Sequence, residues 1–381
     1  MNEPPPSAVM DPSRNLQVRS ESRDPAPFTM NHPKESKGHL HRIPSLDGLR
    51  GLSIWSVLLT HAATHFPNSL LHQRFLRIGL ANLAYFGVTV FFVISGFLIT
   101  LLLLKERAQS STISPARFYL RRAVRILPAS LLYITVIIVM GHSTLKQDAY
   151  AFTFTTSYFF EQAYLPLQQL WSLSVEEQFY LIWPLFLLRG TLTAKRACWL
   201  VMILCPILRL VLKHSGNQNY AHLAPAILDS IAAGCLLAFY HERLRSFAKR
   251  YLVSTGRFIA LSIATLAVAE ALYKWDVVLL WGFAPCLIVL VIAAAIERKD
   301  AVLNRGPLVW SGLISYSLYL WQQPFLVFDG PLNYLSVRLP LAFVAAFVSY
   351  KFIEQPVLAF ASPRSRHTHP RPTAESAFPK S

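Results

Sequence analysis

Charge is scarce in this chain. Only 15% of its 381 residues are Asp, Glu, Lys or Arg, while 53% are hydrophobic. A soluble domain carries roughly 25% charged residues. Together with a mean hydropathy of +0.38, this excludes an ordinary soluble enzyme and points to a chain built largely of membrane spans. Cysteine is scarce too. Cys198, Cys205, Cys235 and Cys286 sit in or beside apolar runs, without metal-ligand spacing. They are expected to be small buried hydrophobes, which leaves no disulfide framework and no cysteine metal centre. Residues 1–41 lack the apolar core of a signal peptide. They are rich in Pro, Ser and charge, so a disordered cytoplasmic tail is expected there and again over 361–381. Acidic residues are the rarer sign, 20 against 36 basic, giving a net charge of +16. In a soluble protein that excess would point to nucleic acid. In a membrane protein it belongs to cytoplasmic loops, and no nucleic-acid partner is expected.

What is present is a series of apolar segments. Ten can be marked, near 47–66, 80–104, 126–142, 172–188, 197–212, 222–240, 258–273, 277–296, 308–328 and 335–360. The aromatic stretch 149–160 is too short to span and is expected to be re-entrant or interfacial. With the amino terminus inside, the inner loops hold seventeen Lys and Arg and the outer loops six. That bias predicts an all-α fold: a polytopic transmembrane helix bundle of about ten spans over residues 42–360, with both termini cytoplasmic. No internal repeat and no interrupted helix is apparent, so the pattern of many transporters is not evident.

Polar residues inside these spans are functional candidates, because burying them in a bilayer is costly. Arg50 and His61 are eleven residues apart, which places them on one helix face, roughly 16 Å apart along the axis. Asp47 precedes Arg50 by three and can pair with it. The plain alternative for His61 is a helix-packing hydrogen bond. Ser172, Glu176 and Tyr180 recur every four residues and form one polar stripe near the expected outer end of a span. Glu176 and its neighbour Glu177 could instead be partners of the helix dipole. Asp229 lies in an otherwise uncharged run, and a bond to a neighbouring helix explains it as well as a substrate contact does. Gly234, in the same run, is expected to permit close helix packing. Ser315 and Tyr316 bring hydroxyls into a later span, and Glu354-Gln355-Pro356 closes the last one. In the inner loop 105–125, Arg122 and Arg125 share a helical face. Their planar donor forks suit phosphate oxygens, although membrane anchoring through anionic lipid would explain them too.

Taken together these stretches resemble acyltransferase family 3, the integral membrane O-acyltransferases. The likeness covers roughly residues 42–358. It is carried by Leu46-Asp47-Gly48-Leu49-Arg50-Gly51 with His61, Phe91-Phe92-Val93-Ile94-Ser95-Gly96-Phe97, and Arg122-x-x-Arg125. It continues through Trp171 to Tyr180, Ser315-Tyr316-Ser317-Leu318-Tyr319-Leu320-Trp321, and Ile353-Glu354-Gln355-Pro356. The resemblance implies a roughly ten-helix enzyme of the inner membrane that acylates a hydroxyl of a sugar, a cell-surface polysaccharide or a macrolide-like acceptor, often with acetyl. It implies His61 as the essential histidine, Arg50 as its motif partner, and Arg122 and Arg125 as contacts to acyl-CoA, the donor substrate. Neither metal nor bound cofactor is called for. On this reading His61 is the general base, with Glu176 or Asp229 orienting its imidazole. Tyr180, Asp229, Ser315 and Tyr316 complete the candidate substrate contacts. One position departs from the family. Gln322 stands where a histidine commonly follows the tryptophan, and an amide cannot titrate. The rival readings are a proton-coupled transporter or exporter using the same buried charges, and a structural partner in a polysaccharide-assembly complex without chemistry.

Overall fold

The computed structural model describes residue 1 and residues 43–66, 82–141, 143–298, 302–327 and 334–361. Both expected tails therefore lie outside the described residues, apart from Met1 and Ala361. Every regular element among the described residues is helical.

The first helix, α1 (Pro44–His65), begins with proline in its first turn, where a missing N–H costs nothing. Helix α2 (Leu83–Ser110) follows. Helix α3 (Pro115–Val139) starts at Ser114, whose hydroxyl accepts from the Arg117 N–H. The aromatic stretch after it forms no span. It holds the eight-residue α4 (Leu145–Phe152), closed at its start by a Thr144–Gln147 capping box, followed by turns. Two more pieces, α5 (Leu165–Gln168) and α6 (Leu170–Leu188), lead to α7 (Thr191–His214). Then come α8 (Ala224–Ile227), α9 (Asp229–Phe239), the basic α10 (His241–Tyr251), α11 (Thr255–Lys274) and α12 (Phe283–Glu297). The chain continues with α13 (Gly306–Leu313), α14 (Ser315–Leu326) and α15 (Leu335–Ser349). A π-helical turn, Tyr350–Glu354, joins α15 to α16 (Gln355–Ala361).

Among the described residues, six helical stretches are long and apolar enough to cross a bilayer: α2, α3, α7, α11, Val278–Glu297 and Leu335–Phe360. Helices α1 and α6, with 22 and 19 residues, match a bilayer in length at about 1.5 Å per residue. They are also the helices that carry Arg50, His61 and Glu176. The segments 222–240 and 308–328, expected as continuous spans, are each broken in two, at Leu228 and at Ile314. The outward face of α7 shows the membrane character directly. Trp199, Leu200, Ile203, Leu204, Ile207 and Val211 are all exposed, a stripe suited to lipid contact.

Close packing at the centre depends on glycine. A Cβ on Gly234 of α9 would overlap the Val93 carbonyl of α2, and one on Gly96 of α2 would overlap the Ile231 carbonyl of α9. The two backbones touch through this reciprocal pair, as small residues allow in a membrane. Helix α1 approaches α13 in the same way, with Gly312 against the Asp47 carbonyl. Helix α1 also packs on α2 and α14, which puts one face of it at the middle of the bundle. Three of the four cysteines are buried, Cys286 is exposed, and all four are free thiols.

Candidate functional site

Helix α1 presents two polar groups to the bundle interior, one toward each end. Toward its C-terminal end, His61 Nδ1 lies 2.8 Å from Gln322 Oε1 on α14. The amide is fully buried and its orientation is held from the other side. Gln322 Nε2 donates to Gln169 Oε1 at 3.0 Å and to Gln323 Oε1 at 3.2 Å. Gln169 is fixed in turn, donating to the Leu320 carbonyl at 2.7 Å and to the Tyr133 hydroxyl at 2.9 Å. With both Gln322 N–H groups committed, its oxygen is the acceptor toward His61. Nδ1 of His61 therefore carries the hydrogen, and Nε2 is left as the basic nitrogen. His61 lines a cavity of about 520 Å³ shared with Gln169, Trp171 and Tyr319.

Toward the other end of α1, Arg50 lies within electrostatic reach of Asp47, Glu176, Arg125 and Tyr180. Glu176 accepts from the Ser95 hydroxyl and from the Tyr180 hydroxyl, each at 2.8 Å. The Arg122 guanidinium sits over the Tyr180 ring at 5.4 Å and near the Phe118 ring at 5.9 Å. Arg125 is exposed, and both Arg125 and Arg50 act electrostatically on Glu354, which accepts a short hydrogen bond from Ser317. Tyr316 donates to the Ile126 carbonyl at 2.8 Å, tying α14 to the helix that bears both arginines. Ser315 is buried close by in sequence, with no hydrogen-bond partner for its hydroxyl among the described residues.

The stripe on α6 joins the two ends. Ser172 meets the Tyr319 hydroxyl at 2.8 Å, and Tyr319 donates to the Gln169 carbonyl at 3.0 Å, beside His61. One and two turns further along, Glu176 and Tyr180 face Arg50 and Arg122. Hydrogen-bonding side chains thus line the interior from the His61 cavity to the arginines.

Three expectations need correction. Glu176 does not begin its helix but is the seventh residue of α6, so it lies at the level of Arg50 and not at a helix mouth. Neither Glu176 nor Asp229 orients His61; Gln322 does, the position where the family pattern is broken. Asp229 stands apart from both clusters. It accepts from Arg209 at 2.7 Å, and both side chains are buried. Arg209 also donates to the carbonyls of Ala226 at 2.7 Å and Val278 at 3.3 Å. The pair clamps α7 onto the break between α8 and α9, the bond to a neighbouring helix that the residue alone allowed. Arg209 and Gln169 drew no attention in the sequence, and Ser95 stood only inside a motif without a role, because their partners lie 20, 153 and 81 positions away and no local spacing signals them.

Known proteins resemble this chain over most of its length. The profile of an acyltransferase domain matches residues 43–350. YrhL of Bacillus subtilis is 30% identical over 366 residues, 84% of this chain and 55% of that protein. The peptidoglycan O-acetyltransferase OatA of Listeria monocytogenes is 27% identical, covering 83% of this chain and 56% of its own length. The O-acetyltransferase OatA of Staphylococcus aureus is 29% identical, with 83% and 57% covered. The chain therefore spans a little over half the length of these relatives. No solved structure matches it. With the family profile covering most of the chain and several helices able to cross a bilayer, the protein belongs to acyltransferase family 3 and is a multi-pass membrane protein.

Proposed function

We propose that this chain is an inner-membrane O-acyltransferase that moves an acyl group, most simply acetyl, from acyl-CoA to a hydroxyl of a cell-surface polysaccharide. The observation that carries the reading is the His61–Gln322 bond at a cavity, with a cluster of three arginines toward the other end of α1. The relatives supply the acceptor class, since OatA of Listeria monocytogenes is a peptidoglycan O-acetyltransferase.

On this reading acyl-CoA enters at the arginine end, which the charge bias assigns to the cytoplasm. Arg122 and Arg125 take its phosphates. The acceptor enters at the His61 end. Nε2 of His61 removes the proton from the acceptor hydroxyl as its oxygen attacks the thioester carbonyl. The tetrahedral intermediate collapses, the C–S bond breaks, and coenzyme A leaves as the thiolate. The imidazolium then gives up its proton, directly or to that thiolate. Gln322 serves as a neutral orienter: it selects the tautomer without adding a charge. The breaks at Leu228 and Ile314, a device that a transporter would also use, lie next to Asp229 and Ser315. Membership of the family favours the enzyme. Incubation of the purified full chain in detergent with acetyl-labelled acetyl-CoA and a saccharide acceptor should label the acceptor, and His61→Ala should not. Unlabelled acceptor with wild-type protein would reject the reading.

A further inference from the structure

The cavity that holds His61 has a lining unlike the arginine end of the bundle. None of its lining residues is Lys or Arg, so it offers no charged clamp for the phosphates of a nucleotide or of coenzyme A. Its walls are aromatic. Tyr85 packs parallel to Trp171 at 6.3 Å and against Trp281 at 5.6 Å. The His222 ring stacks on Phe160 at 3.7 Å and meets Trp171 edge-on at 4.9 Å. The lining is not purely apolar, because Asn82, Gln168, Gln169, His65 and Asp276 also face this space.

Two polar atoms on the same wall lack partners. His222 Nδ1 and Asp276 Oδ1 are buried and make no hydrogen bond among the described residues. Leaving such atoms unpaired costs free energy that a bound hydroxyl would offset. Asp276 is held in place for the task. Its other oxygen accepts from Tyr220 at 3.0 Å and pairs with Lys213 at 2.5 Å. Burial and the bond to Asp276 push the Tyr220 phenol up to about 12, so it remains a neutral donor.

We infer that this cavity is a subsite for a neutral pyranose of the acceptor, whose ring faces lie on the Tyr85–Trp171–Trp281 wall and whose hydroxyls bond to His222 and Asp276, leaving one hydroxyl at His61. Aromatic faces matched with a few amide, imidazole and carboxylate groups suit a ring with apolar C–H faces and a hydroxyl edge. The cavity volume falls in the range of ligand pockets, about 300–1,000 Å³. The inference rests on the acyltransferase reading for the role of the sugar, but not for its binding.

The test is equilibrium binding of radiolabelled N,N′-diacetylchitobiose, a neutral aminosugar disaccharide, to the full chain in detergent, with acetyl-CoA binding measured in parallel. Wild type should bind the sugar saturably. His222→Gln and Asp276→Asn should each weaken it about tenfold, as expected for one lost hydrogen bond, and leave acetyl-CoA binding unchanged. Where either variant fails to fold, as judged by thermal unfolding, Trp281→Phe narrows the stacking wall and should weaken the sugar several-fold. No saturable sugar binding by wild type, or wild-type affinity in the folded variants, overturns the subsite. Sugar binding that responds to these variants, in a protein that transfers no acetyl label, keeps the subsite and rejects the transferase reading.

Discussion

His61 Nδ1 and Gln322 Oε1 meet at 2.8 Å although 261 positions separate the residues. A neutral amide occupies the place that a carboxylate fills in a serine-protease triad, and it leaves Nε2 as the basic nitrogen. Gln322→Leu removes the acceptor, leaving a buried N–H unpaired at a cost of about 1–3 kcal/mol, and should lower turnover about 5- to 150-fold. Gln322→Glu should retain activity and move the pH profile upward, because a carboxylate beside the imidazole favours its charged form. The pH dependence of kcat separates the two; a Gln322→Leu enzyme with the wild-type rate and profile removes the positioning role.

His61 itself should be indispensable. Only neutral imidazole accepts a proton, so the rate should rise with pH through the titration of one group. His61→Ala and His61→Gln should both lose about 10²–10⁴-fold in turnover. Glutamine is the informative change, since it keeps bulk and hydrogen bonding. Near-normal turnover in His61→Gln would return the residue to a packing role.

The arginines should act on the donor alone. Arg122→Ala and Arg125→Ala should raise KM for acyl-CoA about 10- to 150-fold, the effect of losing one hydrogen bond to a charged group. Acceptor KM should stay constant. Lysine should rescue only in part, because it lacks the planar fork. Arg122 also covers Tyr180, so its loss should be the larger of the two. Equal kinetics in all variants would leave the pair as a membrane anchor.

Asp229 should behave as a structural residue. Removing one partner of a buried ion pair costs about 3–5 kcal/mol, whereas replacing both with apolar residues is often neutral. Asp229→Ala should therefore lower the thermal midpoint sharply, and the double variant Arg209→Met/Asp229→Leu should recover most of it. A stable but inactive Asp229→Ala protein would restore it to the active site.

Topology follows from charge. Reporters fused after Gly190 and after Ser215 flank α7 and should lie on opposite sides, the first cytoplasmic and the second periplasmic. The opposite assignment would invert the bundle and the proposed entry routes of donor and acceptor.

The helical class and the family motifs on α1, α3, α6 and α14 were readable in the sequence. Hydrophobic runs and local spacing are short-range properties, and a helix translates them directly into faces. The four-residue stripe Ser172, Glu176, Tyr180 proved to be a single seam for that reason. Pairings across helices were not readable. Nothing local to Gln322 announces His61, and nothing local to Asp229 announces Arg209; each depends on how separate helices cross. The breaks at Leu228 and Ile314 were also missed, although polar residues follow each at once, Asp229-Ser230 and Ser315-Tyr316; such residues sit inside unbroken helices elsewhere in the chain, so their presence alone does not mark a break.

The π-helical turn at Tyr350–Glu354 carries one residue more than an α-helix of the same rise would hold. That surplus sets the angular phase of everything after it by about 100°, one residue's rotation. A regular α-helix through the same five residues would turn Glu354 about 100° away from Ser317, so the wide turn is what lets its carboxylate meet that hydroxyl. The turn absorbs its extra residue: a chain one residue shorter between Ser349 and Glu354 would run on as a regular helix and still aim Glu354 the same way. Direction at this point is thus kept by backbone geometry and not by length, and a motif search that tolerates a one-residue gap here would agree with the bundle.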